Sequence, residues 1–286
     1  MKIASTHPKP VERTPASSPR SAAATAPAGK LDEHLVSLRS PASFEAEQYH
    51  VLRHDLEQLR RSRGLAVFAI TSPAHGDGKT TTAINLAGSL AQDPAARVLL
   101  VDADLRHPSV GESLGVGPSG GPGLAAAILD PGSELDAVVQ RRGASNLAIL
   151  PAGWCPVVPY EVLQSPRVGE LLEAARQAYD YVLLDTPPLL LVPDCRLVAK
   201  WVDAFVMVVA AHRTPRKLLE EALNLMDPGK LVGLVFNNDD RPFSAYHGYY
   251  YHRSRESTGG PRRSWWRSLW GGGRPRPSPE GEEGGW

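Results

Sequence analysis

The residues most capable of chemistry lie in one short run, Gly76-Asp77-Gly78-Lys79-Thr80. An apolar, β-leaning stretch from Val67 leads into it, and a helical pattern starts at Lys79. Strand, glycine loop and helix start, in that order, form the context a phosphate-binding loop requires. The glycines let backbone N–H groups turn inward around phosphate oxygens. The helix that follows adds unpaired N–H groups and the positive end of its dipole. In such a loop Lys79 reaches the outer phosphates and the Thr80 hydroxyl binds Mg2+. The run departs from the usual G-x4-G-K-[ST] pattern in one place, because Pro73 stands five positions before Gly78. An ordinary glycine turn between strand and helix is the bland alternative, and Lys79-Thr80 at the helix start argues against it.

Carboxylates supply the second part. Val98-Leu-Leu-Val-Asp102-Ala-Asp104-Leu-Arg106 sets two Asp residues at the end of an apolar run, and Tyr181-Val-Leu-Leu-Asp185 sets a third. A single Asp in such a place is as well explained as a turn or cap residue. Three of them behind a Lys-Thr loop are what Mg2+ requires, since it takes a few protein oxygens together with waters and substrate phosphates.

The elements that must position these groups alternate between strand and helix. Strands are expected at Leu65–Thr71, Arg97–Asp102, Leu147–Pro151, Tyr181–Asp185, Ala204–Ala210 and Leu231–Phe236. A helix is expected from Ser43 to Gly64, with Tyr49, Leu52, Leu56 and Leu59 on one face. Others follow at Lys79–Gln92, after the Ser165-Pro166 start signal, and near Pro215–Met226. Continuous apolar strands are buried on both faces, so the fold class is α/β. We expect a P-loop NTPase-like, mostly parallel sheet of about seven strands flanked by helices. Ligands bind beyond the strand C-termini in such sheets, where Gly76–Thr80, Asp102 and Asp185 all fall. Residues 1–30, rich in Ala, Pro, Ser and Thr, are expected to lack structure. Residues 31–238 form the domain, with 31–63 as its N-terminal helical region, and 239–286 read as a flexible tail.

The set Gly76-Asp-Gly-Lys-Thr-Thr81, Val-Asp102-Ala-Asp-Leu-Arg-His-Pro108 and Leu-Asp185-Thr-Pro-Pro188 resembles the Walker A, A′ and B motifs of the bacterial tyrosine kinases of capsule and exopolysaccharide synthesis. The resemblance covers roughly residues 31–251. The partition and septum-positioning ATPases are close relatives, but their loop carries a signature Lys where this chain has Ala74. The resemblance implies a protein-tyrosine autokinase that uses ATP and Mg2+ and regulates polysaccharide polymerisation and export. It implies that Gly76, Asp77, Gly78, Lys79, Thr80 and Thr81 hold the phosphates and that Thr80, Asp104 and Asp185 hold the metal. It further implies that Lys79, Asp102, Asp104 and Asp185 are catalytic, with Asp102 accepting the tyrosine proton. Asn237, just after the last strand, is equally a base contact or a plain turn residue. Tyr246, Tyr249, Tyr250 and Tyr251 stand where the family carries its phosphoacceptor cluster, offered to a neighbouring subunit of a ring. In the split form of the family a membrane-embedded polysaccharide co-polymerase supplies the activating cytoplasmic tail. The alternatives are a partition-type ATPase and a non-catalytic ATP-binding switch subunit.

The chain departs from the family at its ring-forming helix, where Glu47, His50 and Arg53 stand in place of Glu-x-x-Arg-x-x-Arg. His50 lacks the permanently charged fork of Arg, which puts a stable ring in doubt and would make assembly depend on pH near neutrality. Across the 286 residues, 31 basic side chains balance 31 acidic ones, which gives no pull toward nucleic acid. The two cysteines, Cys155 and Cys195, lack metal-ligand spacing and suit a reducing compartment. There is no apolar leader, and the longest uncharged apolar run, Ala204 to Ala211, is far short of a membrane span. A cytoplasmic protein is therefore expected, recruited to the membrane by its partner. Between Arg253 and Arg276, seven arginines and three tryptophans face a single acid, Glu256. That composition suits a weak contact with an anionic membrane surface or a nucleic-acid strand, or a solvated linker with incidental aromatics.

Overall fold

The apolar runs become the strands of a single sheet. The computed structural model describes residues 24–25, 29–116, 121–141 and 146–239. In chain order the elements are β1 (Ala24–Thr25), α1 (Val36–Arg39), α2 (Phe44–Arg63), β2 (Val67–Thr71), α3 (Lys79–Leu90), β3 (Val98–Asp102) and α4 (Val110–Leu114). They continue with α5 (Leu124–Leu129), α6 (Leu135–Val138), β4 (Gln140–Arg141), β5 (Leu147–Leu150), α7 (Pro159–Gln164), α8 (Arg167–Ala178) and β6 (Tyr181–Asp185). The last are α9 (Asp194–Val198), β7 (Ala204–Ala210), α10 (Arg216–Asn224) and β8 (Leu231–Asn237). Among the described residues eight strands lie in the order β1-β4-β5-β3-β6-β2-β7-β8. All pairings are parallel except that of β4 with β5.

Side chains alternate across this sheet and feed two apolar layers. Phe68 and Ile70 of β2 join Leu86 and Leu90 of α3 and Leu56 of α2 on one side. Val67 and Ala69 join Leu171, Leu172 and Ala175 of α8 on the other. Burial on both faces explains why β2, β3 and β6 are apolar without interruption until their terminal residues.

Helix α2 starts and stops as its sequence predicts. The Ser43 side chain accepts the Ala46 N–H at 3.2 Å, and Gly64 closes the helix in the left-handed region at φ 71°. The Ser165-Pro166 signal acts one residue further along than expected. Ser165 ends α7, and its hydroxyl accepts the Arg167 N–H at 3.2 Å, while Pro166 precedes the first residue of α8. Within the segment expected to lack structure, Ala24–Thr25 pairs with β4. The short helices α1, α4, α5, α6, α7 and α9 carry too few turns to show a period in sequence.

Two partly buried acids fasten the ends of strands remote from the phosphate loop. Asp180 accepts Arg97 N at 3.0 Å and pairs with Arg60 of α2, joining the starts of β3 and β6 to that helix. Asp203 accepts Ala66 N at 2.8 Å and Val67 N at 2.9 Å, and takes the Arg176 fork at 2.7 and 3.0 Å. Burial alone would raise the Asp203 carboxyl, but Arg176 and the two amides outweigh it and hold it below its ordinary value. Asp203→Ala is expected to lower the unfolding free energy at pH 7 by about 2–3 kcal/mol, the scale of hydrogen bonds to a charged acceptor. A carboxyl depressed in the fold stabilises it fully above the unfolded pKa of about 3.9. That stabilisation is lost as pH falls through the folded value. The gap between the urea midpoints of variant and wild type should therefore close in acid. A gap of the same size at pH 3 and pH 7 would contradict this role.

Candidate functional site

The loop from Ser72 to Gly78 joins β2 to α3 at the C-terminal edge of the sheet. Its shape depends on glycine at two points, Gly76 at φ 82° and Gly78 at φ 90°, both in the left-handed region. A Cβ at Gly78 would also lie 1.9 Å from Asn237 Nδ2, so only glycine fits there. Neighbouring groups hold the loop from within and from the side. Asp77 is buried, and its carboxylate accepts Ala74 N at 3.1 Å and the Thr214 hydroxyl at 2.6 Å. Asn237 Nδ2 donates to Asp77 O at 3.0 Å. The Asp77 side chain thus braces the loop and leaves its backbone amides for phosphate.

The three acids predicted from sequence converge beside this loop. β3 and β6 are neighbours, and Asp102 is the register partner of Asp185. Lys79 Nζ lies 3.1 Å from Asp104 Oδ2, and the Thr80 hydroxyl donates to Asp185 Oδ2 at 2.6 Å. Ser109 Oγ approaches Thr80 Oγ1 at 3.3 Å. Asp102 Oδ2 accepts Ser109 N and Val110 N, each at 3.1 Å, and Oδ1 accepts Asp104 N at 3.2 Å. Asp104 Oδ1 accepts His107 N at 3.0 Å.

This set is short of positive charge. Three carboxylates at most 2 % exposed face the one ammonium of Lys79. Burial raises the Asp102 carboxyl and the nearby Asp185 raises it further, against the opposing Val110 and Ser109 amides. Burial likewise raises Asp185, with Lys79 and the Thr80 hydroxyl only partly offsetting it. For Lys79, burial favours the neutral amine, but Asp185 and Asp104 overcome it and hold the ammonium. Asp185 Oδ1 is buried with no hydrogen-bond partner.

A buried carboxylate oxygen without a partner, beside a hydroxyl and a second acid, suits a hard cation. Among the described residues no three His, Cys, Asp or Glu side chains form an all-protein metal cage. Mg2+ does not require one, because it keeps waters and binds through one or two carboxylates plus phosphates. Thr80, Asp104 and Asp185 would hold it here.

Other predicted site residues lie elsewhere. Thr81 is in the first turn of α3, and its carbonyl accepts Asn85 Nδ2 at 2.9 Å. Glu47, His50 and Arg53 stand at three-residue spacing on α2. His50 Nε2 is 3.1 Å from Gln92 Oε1, and Arg53 binds Glu57 at 2.6 Å and Ser89 O at 3.0 Å. Arg53 is thus partly engaged within its own chain. Tyr246, Tyr249, Tyr250, Tyr251 and the Arg/Trp segment fall outside the described residues. Sequence reasoning did not find Thr214 or Asp194. Asp194 is fully buried and takes the Arg106 fork at 2.7 and 3.0 Å, tying the loop after β3 to α9. Both partners lie far away in sequence, and only Arg106, inside a recognised motif, gave any signal.

Asp185→Asn removes one charge from the crowded set. Without Mg2+ the variant is expected to melt no lower than wild type. Its Mg2+-dependent gain in ADP affinity is expected to fall about tenfold or more. Thermal melts and ADP titrations with and without Mg2+ check both. An unchanged Mg2+ effect would exclude Asp185 from the metal site.

The geometry is matched by comparisons with known proteins. Residues 66–210 match a family model described as an AAA domain. A tyrosine-protein kinase of Bacillus subtilis strain 168, YwqD, is 32% identical over 223 residues, covering 77% of this chain and 92% of that one. The tyrosine-protein kinase wzc of Salmonella typhi is 30% identical over 220 residues, 76% of this chain but only 30% of that longer protein. Among solved structures, the kinase domain of the Escherichia coli tyrosine kinase ETK aligns with a TM-score of 0.65 at 26% identity, covering 74% of this chain and 84% of that one. The motifs at Lys79, Asp102, Asp104 and Asp185 and these likenesses agree, and the chain belongs to the bacterial tyrosine-kinase family.

Proposed function

We propose that this chain is an ATP- and Mg2+-dependent protein-tyrosine autokinase that regulates capsule or exopolysaccharide polymerisation and export. The observation that carries the reading is the charge set at the ends of β2, β3 and β6: one ammonium, three buried carboxylates and an unpartnered Asp185 oxygen. A site so deficient in positive charge suits a divalent cation brought in with a triphosphate. Bound Mg2+ would neutralise charge that develops on the phosphates.

The chain's own groups then have distinct tasks. Lys79 would leave Asp104 and hold the outer phosphates, together with the loop amides and the α3 N-terminus. Thr80 and Asp185 already meet through a 2.6 Å hydrogen bond and would share the metal with Asp104. Asp102 would accept the proton of the attacking tyrosine hydroxyl, whose ordinary pKa is about 10. Its Oδ1 takes a single N–H and so retains acceptor capacity. The tyrosine oxygen forms the new bond to the terminal phosphorus, and ADP leaves.

The acceptors we propose are Tyr246, Tyr249, Tyr250 and Tyr251, presented to a neighbouring copy. Glu47, His50 and Arg53 on α2 are proposed as part of the interface between copies. The activating partner would be a membrane-embedded polysaccharide co-polymerase. This is supported by the Salmonella typhi wzc protein, in which the matched region is 30% of a much longer chain. Among the described residues no helix is long and apolar enough to cross a membrane, so on this reading the partner brings the kinase to the membrane surface. Ala74, in place of the signature lysine of partition-type ATPases, favours the kinase over that alternative.

Phosphotyrosine mass spectrometry on the full chain with ATP and Mg2+, alone and with the partner's cytoplasmic tail, tests the reading. Label is expected on Tyr246–Tyr251, and it should disappear in Lys79→Met and when all four tyrosines are Phe. ATP hydrolysis without phosphotyrosine under both conditions would favour an ATPase. Nucleotide binding without turnover would favour a switch subunit.

A further inference from the structure

The sheet order assigns the two ends of a bound nucleotide to opposite sides of the phosphate loop. β2, which carries the loop, lies between β6 and β7. Asp185 of β6, with Asp102 and Asp104 at and just beyond the end of β3, fills one flank, where Lys79 and Thr80 meet them. The terminal phosphate and its cation belong on that flank. The nucleoside must then leave the loop on the other side, over the C-terminal ends of β7 and β8. The side chains there are His212, Arg213, Thr214 and Asn237.

Two of these residues grip consecutive carbonyls of the phosphate loop. Asn237 Nδ2 donates to Asp77 O at 3.0 Å, and Arg213 Nη2 donates to Gly76 O at 3.2 Å. A Cβ at Gly76 would lie 2.8 Å from that same guanidinium nitrogen. The loop carrying Arg213 is anchored on both sides. His212 takes the left-handed conformation at φ 59°, and Thr214 Oγ1 accepts Ala210 N at 3.1 Å while donating to Asp77 at 2.6 Å. Among the described residues Arg213 has no carboxylate within salt-bridge distance, unlike Arg53, Arg106 and Arg176. It is an exposed planar cation with one neutral carbonyl partner, held where a base would emerge.

We propose that Arg213 is a nucleobase-positioning residue, its guanidinium plane stacking on the face of the base while Asn237 meets the base edge. A guanidinium suits this task because it is planar, weakly hydrated and stacks on π faces, which an ammonium does not do as well. Stacking reads the presence of a base and discriminates little between bases. The inference rests on the nucleotide-binding reading above and refines it.

The test is isothermal titration of the full chain with Mg-ADP and, separately, with magnesium pyrophosphate, which has no base. Wild type is compared with Arg213→Ala and Arg213→Lys. Arg213→Ala should weaken ADP roughly 2- to 30-fold, the range of a cation–π contact, and leave pyrophosphate unchanged. Arg213→Lys keeps the charge and a donor for Gly76 O, yet should recover only part of the ADP affinity. Equal losses for ADP and pyrophosphate would make Arg213 a phosphate contact or a brace of the loop and overturn the proposal. Unchanged ADP affinity in Arg213→Ala would overturn it too, leaving the nucleotide reading intact. Failure of wild type to bind ADP at all would remove both.

Discussion

The structure turns on a concentration of buried negative charge. Asp102, Asp104 and Asp185 are brought together by adjacent strands and the turn after them, and a single Lys79 ammonium faces all three. Interior carboxylates are unfavourable unless paired or bound to metal. The fold meets part of that demand with donors. Three backbone amides serve Asp102, the Thr80 hydroxyl serves one oxygen of Asp185, and Lys79 serves Asp104. The oxygen left over, Asp185 Oδ1, is buried without a hydrogen-bond partner, and a cation beside it would supply the missing positive charge.

Everything else keeps that set in register. Parallel pairing of β2, β3 and β6 aligns their C-terminal ends, so residues far apart in sequence meet without any long-range design of loops. Asp180 and Asp203 fasten the opposite ends of these strands to α2, α8 and β7. On the β7–β8 side, Thr214 and Asn237 fix the phosphate loop through hydrogen bonds to Asp77. The loop is thus set by neighbours at the ends of β7 and β8 as well as by its glycines.

How much of this was legible in the sequence follows from which interactions are local. The Ser43–Gly64 helix, the Gly76–Thr80 loop and the strand-end acids are each written in contiguous residues, and each takes the secondary structure expected of it. The short helices after β3 and β5 were not readable, because five or six residues carry no period. Nor were the braces. Asp77 looked like a loop residue facing phosphate, yet it bonds Thr214, 137 positions away, and Arg106 finds Asp194 across 88. Contacts of that span leave no mark in local spacing.

On this reading Lys79 and Asp104 pair with each other where a triphosphate and its cation would bind. The most direct measurement is a crystal structure of the chain with Mg-ADP. The 3.1 Å contact between Lys79 and Asp104 is expected to open, with Lys79 turned to the phosphates. The cation should lie against Thr80 Oγ1 on the Asp185 side, and the base should emerge beside Asn237. A complex in which Lys79 remains on Asp104, or in which the nucleotide lies away from the Gly76–Thr80 loop, would contradict it.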